Sequence, residues 1–110
     1  MSAIARTPQP PYYAVIFTSE RTAGDNHYAE MADEMLKLAA LQPGFLGVES
    51  AREGVGITVS YWDSLEAIQH WKQNERHLAA QHKGIADWYQ TYKTRICKVE
   101  RDYEFDKKRV

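Results

Sequence analysis

Cysteine is almost absent: Cys97 stands alone among 110 residues. An intrachain disulfide is therefore impossible, and a multi-cysteine metal cluster from one chain is excluded. No run of 18 apolar residues occurs, and the start, MSAIARTPQPPYYAVIF, lacks a long apolar stretch followed by a small-residue cleavage site. Those gaps lead us to expect a cytoplasmic chain with no membrane partner. A basic excess is missing too. The net charge is −1, so no nucleic-acid partner is expected. The six glycines form no phosphate-binding loop, no HExxH helix exists, and no carboxylate pair is placed for hydrolysis.

Aromatic residues are what the chain does have, at 12% with seven Tyr and three Trp. Such mixed aromatics suit a half-apolar pocket or an interface. Apolar residues at 44% and charged residues at 26% are globular values. A chain of this length makes one domain that buries roughly two thirds of its unfolded surface. Charge is uneven: residues 1–92 carry seven basic and eleven acidic groups, residues 93–110 seven and four. The tail's alternating signs make a poor phosphate-binding stripe.

Residues 1–11 hold prolines at 8, 10 and 11 and read as a flexible N-terminal arm. Residues 12–106 form the domain, and 107–110 a frayed end. Tyr12 to Thr18 is β-branched and aromatic, a strand apolar on nearly every position. Tyr28, Met31, Met35, Leu38 and Leu41 recur at helical spacing after a cap from Asp25 or Asn26. Gln42-Pro43-Gly44 stops that helix. Phe45 to Arg52 and Ile57 to Trp62 make a hairpin around Gly54-Val55-Gly56. A second helix follows Asp63 and Ser64, is interrupted at Asn74 and resumes from Glu75 to Lys83. A short element at Asp87-Trp88-Tyr89 precedes a long last strand over 92–106.

The order is βαββαβ, an α+β ferredoxin-like arrangement with a split second helix. Helices cover one sheet face, and the first and third strands are apolar on both faces. The expected cover for the bare face is a second copy, giving a homodimer through sheet faces.

Three of the four histidines and all three tryptophans lie between Trp62 and Trp88. His70, Asn74, His77 and Gln81, spaced four, three and four, share one side of a continuous helix. That side is either a solvated stripe or the polar edge of an aromatic pocket, with Trp71, Leu78 and His82 on its apolar side. His77 and His82, five apart, do not share a regular helix face as metal ligands. Cys97 reads as packing. Arg95 either neutralises an anion or pairs with Glu100 or Asp102. Trp62, Trp71 and Trp88 serve either the core or a ligand stack.

The segments YYAVIFTSE, LQPGFLGVESAR, GITVSYWDSLEAIQHWKQNERHLAAQ and WYQTYKTRICKVERDYEF resemble the antibiotic biosynthesis monooxygenase family over about residues 12–105. The resemblance implies a dimeric α/β barrel. It also implies two enzymatic branches. One is cofactor-independent, with molecular oxygen as co-substrate. A phenol loses a proton, and the electron-rich anion reacts with oxygen. That branch uses Asn, Trp, Tyr and Arg, for which Asn74, Trp71, Tyr61 or Tyr89, and Arg95 are the available types. The other degrades haem and carries an axial His ten residues after a Trp. Here that step from Trp71 lands on Gln81, and the first strand lacks the family's Asn, so haem is the lesser expectation.

The resulting expectation is a cofactor-independent monooxygenase of a small aromatic phenol or quinol. His77 is the base, because imidazole titrates near working pH. Asn74 donates to the oxyanion, and Trp71 joins them as a catalytic residue. Trp62, Tyr61, His82, Trp88, Tyr89 and Arg95 bind substrate. No cofactor or metal is required. The alternatives are a non-enzymatic aromatic-metabolite binding dimer and a haem-binding or haem-degrading protein.

Overall fold

The computed structural model describes residues 3–82 and 85–109. Strand β1 (Tyr12–Arg21) leads into helix α1 (Tyr28–Ala40), then β2 (Phe45–Arg52), β3 (Gly56–Trp62), helix α2 (Leu65–His82), the short α3 (Ile85–Trp88) and β4 (Tyr89–Val99). A 3₁₀ turn closes the described chain at Lys107–Arg109. The βαββαβ order is therefore present. No helix among the described residues is long and apolar enough to cross a membrane.

The sheet is antiparallel with order β2-β3-β1-β4. The expected dimeric α/β barrel is not formed. Closure requires the two edge strands to meet, and β2 and β4 are separated by two strands and pair only inward. The sheet stays open, with helices on one face.

Register assigns the faces. Tyr13 pairs with Trp62 and Lys98, Val15 with Ser60 and Ile96, and Phe17 with Thr58 and Thr94. Partners in an antiparallel ladder point to one side. Trp62, Tyr13 and Val15 pack with Ile68 and Trp71 of α2 and Ala39 of α1, so this side faces the helices. Ala14, Tyr61 and Cys97 share the other, open side.

Two further expectations change. Helix α2 runs unbroken through Asn74, whose side-chain amide donates to the His70 carbonyl at 3.1 Å and follows the helix instead of ending it. The last strand begins at Tyr89 and stops at Val99, where its partner β1 begins at Tyr12. Pro10 and Pro11 precede that point and have no N–H to offer, so residues 100–106 have no ladder to extend and take no regular structure.

The turn from α1 into β2 depends on Gly44. Its φ is +86°, and a Cβ would lie 2.5 Å from Asp63 Oδ1. That close approach lets the Asp63 amide donate to the Gly44 carbonyl at 2.9 Å, fixing where α2 starts. Ser64 Oγ then accepts the Ala67 N–H at 3.0 Å as the cap of α2.

Candidate functional site

Helix α2 has three sides with different surroundings. With each residue turning about 100°, Ile68, Trp71, Glu75, Leu78 and Ala79 project inward. Four of these are buried apolar residues. His70, Asn74, His77 and Gln81 project toward the α1 side and solvent. His77 and His70 are exposed. Asn74 Nδ2 donates to Gln42 Oε1 at 3.4 Å, and Gln81 Nε2 lies 3.3 Å from His77 Nε2. The polar stripe is thus brought together, but on the outside of the helix layer. The third side carries Leu65, Lys72 and Arg76. With Ile68, Gln69, Gln73 and β4's Ile96 they line an open groove of about 420 Å³.

Two aromatic clusters fill the ends of the helix–sheet interior. In the first, Trp62 is fully buried and stacks on Trp71 with ring centres 5.8 Å apart, and Phe45 meets Trp62 edge-on. Trp62 Nε1 donates to Ser60 Oγ at 2.9 Å, which resolves the cost of burying an indole N–H. In the second, Trp88, Met31 and Ala79 pack with Tyr28 and Tyr89. Trp88 Nε1 donates to the Asn26 carbonyl at 3.0 Å. Tyr89 stands edge-on to Tyr28 and Phe17. The Arg21 guanidinium covers the Tyr28 ring at 3.5 Å.

Between the clusters the helix-facing row is only partly covered. Val15, Phe17, Val48, Thr58 and Ser60 all retain intermediate exposure. Two of those five are hydroxyls, so this stretch of the interface is mixed rather than close-packed apolar core.

Of the residues expected to bind substrate, Trp62, Trp88 and Tyr89 line the helix side, one or two in each cluster. Tyr61 and Arg95 lie across the sheet on the open side, Arg95 exposed and paired in register with Ile16. Tyr61 donates to Glu49 Oε1 at 2.7 Å. Burial and that bond push its hydroxyl up to about 12. Burial also raises Tyr89, reinforced by its bond to Tyr28. Both phenols therefore donate hydrogen bonds at neutral pH and are not bases. The His82 side chain lies outside the described residues.

Sequence reasoning passed over Glu75. Its position is four residues from Trp71 and seven from Ile68, in the middle of the inward side. The expected break at Asn74 hid that periodicity. Burial raises its carboxyl above the ordinary value, opposed by Lys72 and then Arg76. Among the described residues no hydrogen bond or ion pair engages the carboxylate. Among those residues, too, no group of three or more His, Cys, Asp or Glu is arranged to hold a metal ion.

Known proteins share this architecture. The family model for antibiotic biosynthesis monooxygenase matches residues 11–83. An uncharacterised protein of Bacillus subtilis (strain 168), YqjZ, is 54% identical over 107 residues, covering 96% of this chain and 94% of its own. SnoaB, a cofactor-independent oxygenase from Streptomyces nogalater, superposes with a TM-score of 0.63 at 10% identity, over 86% of this chain and 97% of that one. The Pseudomonas aeruginosa protein PA3566 does so with a TM-score of 0.64 at 16% identity, over 87% and 99%.

Proposed function

Since the chain belongs to the antibiotic biosynthesis monooxygenase family, we propose that it is a cofactor-independent monooxygenase of a small aromatic phenol or quinol. The observation that carries this reading is the half-exposed, hydroxyl-bearing stretch of sheet between two aromatic clusters that meet at Met35, on the helix side. The aromatic ring is placed there, with Trp71 and Trp62 at one end and Tyr89 and Trp88 at the other. SnoaB, which shares the fold, is a cofactor-independent oxygenase, and that supports chemistry in which the substrate supplies the electrons.

The reaction balances without a cofactor. A phenol and dioxygen give a quinone and water: one oxygen atom enters the ring, and the other leaves reduced. Removal of the phenolic proton is the protein's first task, because the anion is the electron-rich species. Exclusion of bulk water by the surrounding aromatics is the second.

A second copy is proposed as the macromolecular partner, packed on the open sheet face where Ile57 is 45% exposed. The N-terminal arm occupies one end of that face: the Ala5 amide donates to Glu49 Oε2 at 2.9 Å, and Thr7 Oγ1 to the Tyr12 hydroxyl at 3.0 Å.

Oxygen uptake with 1,5-dihydroxynaphthalene tests the enzymatic reading. The expected result is uptake in step with quinone formation and one labelled oxygen atom incorporated from ¹⁸O₂. Uptake no faster than in buffer argues for a binding protein instead.

A further inference from the structure

A half-buried carboxylate in the middle of a helix's inward side is costly unless it is paired or used. Glu75 is flanked along α2 by Trp71, four residues before, and Ala79, four residues after. Those two residues belong to different aromatic clusters, so Glu75 sits over the partly covered stretch between them. No ion pair or hydrogen bond among the described residues consumes its carboxylate. The groove beside it runs between α2 and Ile96 of β4, with an apolar wall from Leu65 and Ile68 and two cations, Lys72 and Arg76, on its rim. Both cations act electrostatically on Glu75.

We propose that Glu75 accepts the proton of a phenolic hydroxyl bound between α2 and the sheet, the substrate entering by the groove between α2 and β4. The inference rests on the aromatic-substrate reading above and names its missing base. Proton and charge balance in one step: the phenol O–H breaks, the proton bonds to a Glu75 oxygen, and the electron pair stays on the phenolate. Lys72 and Arg76 offset the negative charge that then leaves the carboxylate for the ring. Desolvation of Glu75 raises its basicity, which brings it nearer to that of a phenolate and favours the transfer. Tyr61 and Tyr89 cannot take this role, because both hydroxyls hold their protons at neutral pH. His77 projects to the solvent side of the helix.

The test uses 4-nitrophenol, whose phenolate is coloured, without oxygen and at a pH where the free probe is mostly protonated. The intact chain is expected to bind the probe as phenolate and to gain an infrared band of a protonated carboxyl that shifts with ¹³C-glutamate. Glu75→Gln should lose that band and at least tenfold of the bound phenolate. Glu66→Gln, an exposed change on the same helix, should keep both. Matching circular dichroism and thermal melting show that the Gln variant is folded. The proposal is overturned if Glu75→Gln keeps the phenolate signal, if the intact chain binds the probe without the band, or if it does not bind the probe. Because no oxygen is present, this result stands apart from oxygenase turnover.

Discussion

Glu75 loses hydration on folding that a glutamine would lose more cheaply, since only the carboxylate carries a full charge. Its folded titration lies above the ordinary value of 4.5. The folded chain therefore binds a proton more readily than the unfolded one between those two values, and stability falls as pH rises through the folded one. Each pH unit between them is worth about 1.4 kcal/mol. We expect Glu75→Gln to match the parent chain in urea unfolding below pH 4.5 and to exceed it at neutral pH. A parent chain that outlasts the variant at neutral pH would show a carboxylate that stabilises the fold. The pairing of higher stability with a lost proton acceptor is the trade typical of a working site. Glu75 was also the hardest residue to read in the sequence. A carboxylate inside an apolar period looks like a break in it, and Asn74 next door offered a ready cause for one.

At the scale of elements the sequence was more legible. The Met31, Met35 and Leu38 spacing gives α1, and the β-branched runs give β1 and β3 within a few residues of their observed bounds. Asn74 was misleading because its low helix propensity is local. The packing of Ile68 and Trp71 on one side of it, and Leu78 and Ala79 on the other, holds α2 continuous. Residues 100–106 alternate like a strand but have no neighbour to pair with. Pairing is a property of two segments, and the prolines that remove the partner lie some 90 positions earlier. The division of α2 into inward, stripe and groove sides also needed the structure. Periodicity grouped His70, Asn74 and His77 correctly, but it could not say which side the sheet would take.

As a whole molecule the chain is larger than a compact monomer of its size. Its radius of gyration is 14.9 Å, against about 13 Å for a compact domain. Its accessible surface is 8247 Å², about 2,000 Å² above the value for a folded monomer. Part of the excess is the tail, exposed over residues 100–108 with Tyr103 and Phe105 the most accessible of its apolar side chains, and part is β4, exposed over most of its length. A second copy on the open face would cover Ile57 and outward residues of β4 such as Arg95, while Tyr92 and Ile96 stay on the helix side. Sedimentation velocity should give twice 12.7 kDa for the parent chain and a single chain for Ile57→Glu. A parent chain that sediments as 12.7 kDa would leave the open face without its proposed partner.

The proposed aromatic substrate binds on the helix side of the sheet. Amide chemical shifts of the labelled chain, titrated with 1,5-dihydroxynaphthalene in the absence of oxygen, test it most directly. Shifts should concentrate at Trp71, Glu75 and Ala79 of α2, Val15 and Phe17 of β1, and Thr94 and Ile96 of β4. Shifts confined to Tyr61 and Arg95 on the open face, or to His70 and His77 on the outer stripe, would contradict it.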